Sequence, residues 1–217
     1  MIADKIVLAS SNVGKIREIR TILDGYTVAP QAEFNIADAD ETGLTFVENA
    51  IIKARNATQH CGLPAIADDS GLEVDALEGA PGVFSARYAG VGASDRENLD
   101  KLLVDLRKIP DAKRTARFRC VIVYLRHEKD PCPIIAEGAW EGLILRQPVG
   151  EGGFGYDPVF FVPNKGCSSA ELTPQEKNRL SHRAQALSVF TTLFQTQNKK
   201  SAEAVSAISV DHSRYSP

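Results

Sequence analysis

The sequence predicts an α/β protein in which helices flank an elongated central sheet of mixed strand direction. In the first half of the chain, segments with helical spacing of apolar residues alternate with short strand-like runs, which is typical of parallel strands joined by helices. Two longer strand-like runs, 115–127 and 134–146, then follow each other across a turn-rich link. This pair predicts an antiparallel hairpin, so the sheet should hold both parallel and antiparallel strands.

The composition limits the classes of function. The chain has 217 residues, 43% of them hydrophobic, which suffices for the core of one large domain or two lobes. Its net charge is -3. This charge argues against a protein that holds nucleic acid mainly by positive charge. The sequence has no apolar run long enough for a membrane span and no signal-peptide pattern, so we expect a cytoplasmic protein with no membrane partner. The four cysteines are widely spaced, which favours reduced thiols over a zinc site.

Strand and capping signals place the elements of the first half. Residues 5–10 form a strand-like run, and 14–23 carry apolar residues on one helical face. Thr45-Phe46-Val47-Glu48 is a capping box that predicts the start of a helix. The apolar run beginning at Ala65 has the length of a buried strand, and 72–77 would continue it or pair with it.

Similar signals place the elements of the second half. A turn at 79–82 precedes a second capping box, 94–97, which opens a helix. After the hairpin, 158–162 is strand-like, and 173–176 combines an N-cap, a proline and a glutamate that predict another helix. The final helix should run to about Asn198.

Two adjacent carboxylates, Asp68 and Asp69, stand at the predicted end of the Ala65 strand and are followed by Ser70 and Gly71. Asp-Asp-Ser-Gly also makes a good turn, and a solvated loop could keep the two charges apart. At a cleft the pair would instead meet a cation, because Mg²⁺ takes oxygen ligands from one or two carboxylates and substrate phosphates. Both interpretations remain open at this point.

The segment Ser10-Ser11-Asn12-Val13-Gly14-Lys15 lies where a strand gives way to a helix. Small residues let a ligand approach the backbone, a helix N-terminus offers free N–H groups, and Lys15 adds a positive charge, so the segment suits phosphate. It is not a Walker A loop, because the required first glycine and final Ser/Thr are missing. A plain strand-to-helix turn is the alternative.

An acidic loop, Asp40-Glu41-Thr42-Gly43, precedes the helix that begins at Thr45. With Asp68 and Asp69 it could complete an oxygen-rich metal site if the fold brings the three segments together. Otherwise it is a solvated loop. Lys53 lies on the following helix and would neutralise phosphate charge if it faces the cleft.

The segment Gly150-Glu151-Gly152-Gly153-Phe154-Gly155-Tyr156-Asp157-Pro158 surrounds two aromatic residues with glycines. Such a loop can approach a flat ligand closely. Phe154 could stack on a base, a contact worth about 1–3 kcal/mol. The alternative is a hairpin turn whose aromatic side chains simply pack.

Lys177 and the run Ser181-His182-Arg183 form a further candidate group. On one continuous helix, Lys177 and Arg183 would be rotated by about 120° around the axis and would point apart. A break at Ser181, with the serine capping a new helix, would turn His182 and Arg183 toward the same ligand. We predict that break; for Lys177 alone, surface charge is the alternative.

Six ordered segments together resemble the HAM1/RdgB family of noncanonical purine nucleoside triphosphate pyrophosphatases, also called inosine triphosphatases. The resemblance covers about Lys5 to Gln197. The segments that carry it are Ser11 to Lys15, Glu41 to Phe46, Ala67 to Leu72, Gly79 to Tyr88, Gly152 to Pro158 and Ser181 to Arg183. Ser11 stands where many members have glycine, a change that should leave the loop workable.

The resemblance implies a homodimeric enzyme with two lobes around a nucleotide-binding cleft. It would use Mg²⁺ to hydrolyse ITP, dITP and XTP to the monophosphate and pyrophosphate. The domain would span 1–198, and 199–217, which lacks a sustained apolar stripe, would be a mobile tail.

The family's roles transfer residue by residue. Asp69 would be the base for the attacking water, and Glu41, Asp68 and Asp69 would lie at the metal. Substrate would be held by the residues of the phosphate segment, the glycine-rich loop and the C-terminal group: Ser10, Ser11, Asn12, Val13, Gly14, Lys15, Lys53, Ser70, Phe154, Gly155, Tyr156, Asp157, Lys177, His182 and Arg183.

Three other functions compete with this one. A nucleotide sensor that binds without hydrolysis would not need Glu41, Asp68 and Asp69. A pyrophosphatase or phosphatase of related fold would share the phosphate and metal parts, and would differ at Phe154 and at His182-Arg183. A single-strand nucleic-acid binder would need interleaved aromatic and basic residues, which this acidic chain lacks.

Overall fold

The computed structural model describes residues 5–10, 16, 19–20, 23 and 25–212, with only the backbone course for 200–212. Within these residues seven strands form one sheet, in the order β2-β1-β3-β4-β5-β6-β7. β1 is parallel to β2 and β3, and each later pair of neighbours is antiparallel. In chain order the strands are β1 (Lys5–Leu8), β2 (Thr27–Pro30), β3 (Ala65–Val74), β4 (Thr115–Leu125), β5 (Ile134–Ile144), β6 (Phe160–Val162) and β7 (Cys167–Ser168). The predicted mixed sheet and the β4–β5 hairpin are confirmed.

The α-helices whose bounds the structure describes are α1 (Phe46–Cys61), α2 (Asp95–Asp105), α3 (Pro174–Leu180) and α4 (His182–His212). The first three begin at the predicted caps: Thr45, Ser94 and Thr173 each accept a hydrogen bond from the backbone N–H three residues on. None of the helices of the described chain has the length and apolar character to cross a bilayer.

The helix predicted over 14–23 is described only in part. Ile16, Ile19 and Arg20 are helical and Leu23 lies in a bend. The other positions of that segment lie outside the described residues.

The sheet separates two helical layers, and this arrangement positions the site. On one face, α1 packs Ala50, Ala54 and Ala57 against β1, β3 and β4. On the other face, α4 packs Ala186 and Phe190. A third apolar cluster lies toward β5 and β6, beneath α2. Because side chains alternate along a strand, neighbouring residues of the central strand β3 face different helices.

The carboxylate pair lies within β3 rather than at its end. β3 pairs with β4 without interruption from Ala65↔Leu125 to Val74↔Ala116, so the turn interpretation of Asp-Asp-Ser-Gly is wrong. Gly71 allows a short 3₁₀ helix, Gly82–Arg87, to pass close by, since a Cβ at Gly71 would lie 2.4 Å from the Gly82 carbonyl oxygen. The predicted continuation over 72–77 is strand only as far as Val74.

The last helix is longer than the sequence predicted. α4 continues past Asn198 to His212. No glycine or proline occurs from 181 to 216, so nothing in that stretch breaks a helix. The boundary expected near residue 198 therefore falls inside a helix, while the mobility of the tail and the division into two lobes stay predictions.

Candidate active site

Asp69 faces α1 and is held from there by two side chains one helical turn apart. Asn49 donates to Oδ2 over 3.2 Å, and Lys53 donates to Oδ1, also over 3.2 Å. Asn49 is fully buried and accepts the backbone N–H of Gly43 at 2.8 Å. Asn49 thus connects the acidic loop to the carboxylate on β3.

Glu41 reaches the same lysine from the acidic loop. Its Oε1 lies 2.8 Å from the Lys53 ammonium, and its Oε2 lies 3.5 Å from Arg87. Burial would raise the pKa of Glu41, but these two cations outweigh it and lower that pKa. For Lys53, burial would lower the pKa, but the surrounding carboxylates raise it, so the ammonium stays charged.

Asp69 is affected differently. Burial raises its pKa above the ordinary aspartate value, and the charge of Glu41 acts in the same direction, whereas Lys53 and Asn49 oppose the shift. A carboxylate with a raised pKa accepts a proton more readily than an ordinary aspartate does, which suits a general base.

Asp68 lies on the opposite face of β3. Its Oδ2 is 3.9 Å from Nε of Arg183, which is at the start of α4, and both side chains are buried. Strand alternation separates the two aspartates, so Glu41 and Asp69 contact Lys53 directly. Asp68 acts on Lys53 through its charge and lines the same cavity as Glu41. The metal site of Glu41, Asp68 and Asp69 stays a prediction.

The chemistry of Glu41 and Asp69 nevertheless fits a hard divalent cation. No group of three His, Cys, Asp or Glu side chains within the described ranges is arranged to hold a metal. Mg²⁺ does not require one, because it is commonly bound by one or two carboxylates together with substrate phosphates and water. Glu41 and Asp69 converge on one cation already, the ammonium of Lys53.

Two cavities are each lined by one member of the Asp68–Arg183 pair. The first, of about 530 Å³, is lined by charged residues including Glu41, Lys53, Asp68 and Arg87. The second, of about 480 Å³, is lined by Ser70, the glycine-rich loop and the start of α4, including Arg183. The two cavities could therefore take the charged end and the flat apolar end of one ligand.

The phosphate segment is described only at its first residue. Ser10 lines the first cavity, and its phosphate contact stays a prediction. Ser11, Asn12, Val13, Gly14 and Lys15 lie outside the described residues.

The glycine-rich loop presents one aromatic ring and buries the other. Phe154 is 60% exposed at the second cavity, and the Lys177 ammonium lies 4.8 Å from its ring centroid. Tyr156 is buried and donates its hydroxyl to the Ser85 carbonyl over 2.8 Å. The Tyr156 side chain is therefore packed, although it also lines the second cavity, whereas the Phe154 ring remains available for stacking.

Asp157 anchors this loop from below. Its buried carboxylate accepts the Phe154 N–H at 2.8 Å and the Ser169 hydroxyl at 2.9 Å, and it pairs with Lys177. Asp157 lines the second cavity, but these contacts give it a structural task, which is to fix both Phe154 and Lys177.

The predicted break at Ser181 is confirmed. Ser181 has extended backbone angles between α3 and α4, and its hydroxyl accepts the N–H of Ala184 at 3.2 Å. The break directs His182 and Arg183 into the second cavity. The His182 imidazole stacks on Phe118 with ring centroids 5.0 Å apart.

The polar residues that sequence reasoning missed include Asn49, Arg87 and Asp95. Asn49 lies four positions before Lys53, so helical spacing alone places it on the same face. Arg87 lies within one of the segments that carry the resemblance. Asp95 accepts the Gly155 N–H at 2.7 Å across sixty positions of sequence, and no local signal reports such a contact.

Comparisons with known proteins identify the family of the chain. The model of the Ham1 family matches residues 6–193. A dITP/XTP pyrophosphatase of Vibrio parahaemolyticus is 61% identical over 192 residues, which is 87% of this chain and 96% of that protein. One of Salmonella typhimurium is 60% identical over 185 residues, 84% of this chain and 94% of that protein.

Solved structures are similar as well. A HAM1 protein from Coxiella burnetii superposes with a TM-score of 0.86 at 52% identity, covering 90% of this chain and all of that one. The Staphylococcus aureus Ham1 protein gives 0.83 at 40% identity, covering 89% and 99%. The chain belongs to the Ham1 family.

Proposed function

We propose that this protein hydrolyses noncanonical purine nucleoside triphosphates (ITP, dITP and XTP) to the monophosphate and pyrophosphate. The observation that carries the proposal is the pair of cavities linked by Asp68 and Arg183, one lined by carboxylates and cations and the other by an exposed aromatic ring. A triphosphate with its metal suits the first and a purine suits the second. The names of the relatives support the same activity.

Glu41 and Asp69 would hold the Mg²⁺ ion, which supplies charge neutralisation for the phosphates and acidifies water bound to it. Asp69 takes the proton of the attacking water, or orients that water, as the water oxygen forms a bond to the α-phosphorus. The bond from the α-phosphorus to the bridging oxygen breaks, and pyrophosphate leaves with the electron pair. The charge that develops on the leaving group is offset by Lys53 and by Lys15 of the phosphate segment.

The residues of the second cavity would select the base. Hypoxanthine and xanthine present a keto oxygen at position 6, where adenine presents an amino group. The Arg183 side chain and His182 are the donors we assign to that oxygen. A buried donor that faces the amino group of adenine loses its partner, which costs about 1–3 kcal/mol, or roughly 10- to 100-fold in discrimination.

The backbone N–H groups of the glycine-rich loop are weaker candidates for this selection. The N–H groups of Phe154 and Gly155 already donate to Asp157 and Asp95. They are therefore poor candidates for the keto oxygen, and Phe154 acts through stacking.

The identity of the metal, the homodimer and the cytoplasmic location are part of the proposal. The oxygen donors Glu41 and Asp69 support Mg²⁺, although Mn²⁺ accepts the same ligands. The net charge of -3 supports a protein that does not bind nucleic acid.

Product analysis with ITP, dITP, XTP, ATP and GTP tests the function, with Mg²⁺ and with a chelator. We expect monophosphate and pyrophosphate from the first three substrates, and no turnover with chelator. Diphosphate and orthophosphate would contradict attack at the α-phosphorus. Binding without turnover would instead place the protein among nucleotide sensors.

A further inference from the structure

Three chain segments that line the second cavity are tied to one another by hydrogen bonds. The Tyr156 hydroxyl joins the glycine-rich loop to the 3₁₀ helix at Ser85, over 2.8 Å. Asn98 of α2 donates to the Ala86 carbonyl over 3.2 Å, which joins that 3₁₀ helix to α2. A third hydrogen bond joins α2 to the glycine-rich loop, because the Asp95 carboxylate accepts the Gly155 N–H over 2.7 Å.

The residues that make these three hydrogen bonds differ in burial. Tyr156 and Asn98 are both buried, so their bonds belong to the core of the protein. Asp95 is exposed, and it lines the same cavity. The Asp95–Gly155 bond is therefore the one of these three hydrogen bonds that lies at the solvent side.

This bond also fixes the residue expected to stack on the base. Phe154 is followed by Gly155, whose φ of +60° is the left-handed conformation that glycine adopts freely. The buried Asp157 carboxylate accepts the N–H of Phe154, and the exposed Asp95 carboxylate accepts the N–H of Gly155. The exposed ring of Phe154 is thus carried by a backbone anchored at two successive N–H groups by carboxylates of different elements.

We infer that Asp95 is a positioning residue for base binding: it fastens the Phe154 loop to α2 and so holds the stacking ring over the purine. The inference rests on the proposed function. The described contacts of Asp95 include none with Glu41, Lys53 or Asp69. Its loss should therefore weaken binding of the base and spare both triphosphate binding and the chemical step.

The competing account is that Asp95 only stabilises α2, since an acidic side chain in the first helical turn favours the helix. The amide variant separates the two accounts. Asp95→Asn keeps a side-chain oxygen that can accept the Gly155 N–H, but it removes the charge that favours the helix. Asp95→Ala removes both.

The experiment compares wild type, Asp95→Ala, Asp95→Asn and Asp100→Ala. Asp100 is a matched control, because it lies on the same helix and pairs only with the exposed Arg96 among the contacts described for it. For each protein we would measure kcat and KM with dITP, the Kd of dIMP, inhibition by base-free tripolyphosphate, and Tm.

For Asp95→Ala we expect KM for dITP and Kd for dIMP to rise about 10-fold, as the loss of a charge-assisted hydrogen bond implies. Its kcat and its inhibition by tripolyphosphate should stay within about twofold of wild type. Asp95→Asn should recover most of the affinity, and Asp100→Ala should match wild type.

The inference is overturned if Asp95→Ala leaves the Kd of dIMP unchanged or weakens inhibition by tripolyphosphate as much as it weakens dIMP binding. It is also overturned if Asp95→Asn raises the Kd of dIMP as much as Asp95→Ala does. Failure of the proposed function gives a different result, since wild type would then neither release pyrophosphate from dITP nor bind dIMP.

Discussion

The side-chain amide of Asn49 donates to Oδ2 of Asp69 over 3.2 Å, while its own oxygen accepts the backbone N–H of Gly43. Gly43 permits this approach, because a Cβ there would lie 2.7 Å from the Asn49 oxygen. One fully buried side chain thus sets the acidic loop and the proposed base relative to each other.

Replacing Asn49 should therefore reduce activity as well as stability. Asn49→Ala leaves the Gly43 N–H without its acceptor and removes a donor to Asp69, so we expect a loss of about 1–3 kcal/mol in the free energy of unfolding. We also expect kcat to fall about 10-fold or more, because a misplaced base loses orientation. Asn56→Ala is the control, since Asn56 is on the same helix and donates to the Ala37 carbonyl in an exposed contact. Equal kcat for the two variants would contradict a positioning role.

The neighbouring aspartates should give different kinetic defects, because they face opposite sides of β3. Asp69→Asn removes the proposed base and metal ligand, so kcat should fall about 10²- to 10⁴-fold. Asp68→Asn weakens the pairing with Arg183, so its larger effect should be on KM for dITP and on discrimination against ATP. The check is kcat and KM for both variants with dITP and ATP. Near-wild-type turnover of Asp69→Asn would exclude the base role.

The elements and features that the sequence predicted best depend on short-range chemistry. The caps at Thr45, Ser94 and Thr173 and the break at Ser181 each involve a side chain and a backbone N–H within a few residues, so a local pattern reports them. The separation of Asp68 from Asp69 required knowing that their segment is a strand, and β4 supplies that information by pairing along its whole length.

Two features of the site had no sequence signal. Asp95 meets Gly155 only because the fold brings α2 and the glycine-rich loop together. The sharing of Lys53 by Glu41 and Asp69 likewise depends on how the acidic loop crosses α1. Contacts between distant segments are set by tertiary structure, which no periodicity records.

Gly138 should be required for the position of His182. A Cβ at Gly138 of β5 would lie 2.1 Å from the His182 carbonyl oxygen and 2.5 Å from the Ala186 backbone nitrogen. Gly138→Ala must therefore push α4 away from the sheet, which costs about 1–3 kcal/mol or more of stability.

Because α4 begins at His182, the same variant should also raise KM for dITP. Thermal denaturation and steady-state kinetics provide the check, with Glu137→Ala on the exposed side of the same strand as the control. A Gly138→Ala protein with wild-type Tm and KM would show that α4 does not need this close approach.

Asp130 should make stability depend on pH at acidic values. Its buried carboxylate accepts the backbone N–H groups of Arg126 and Cys132 at 3.0 Å each and pairs with the Arg126 guanidinium. The side-chain bonds from Arg126 are the main reason that the pKa of Asp130 is held well below its ordinary value. The unfolded chain then takes up a proton before the folded one does as pH falls. The stabilisation is therefore complete above the ordinary aspartate pKa of about 3.9 and is lost progressively below it.

Chemical denaturation of wild type and Asp130→Ala from pH 7 to pH 2.5 measures this effect. The difference in the free energy of unfolding should be about 1–3 kcal/mol and constant between pH 7 and about pH 5. It should narrow below about pH 4. Asp111→Ala removes an exposed carboxylate that pairs with Arg146, and its difference from wild type should stay near zero throughout. If the difference in the free energy of unfolding between wild type and Asp130→Ala does not narrow in acid, the Asp130 side chain stabilises the fold by packing rather than by its charge.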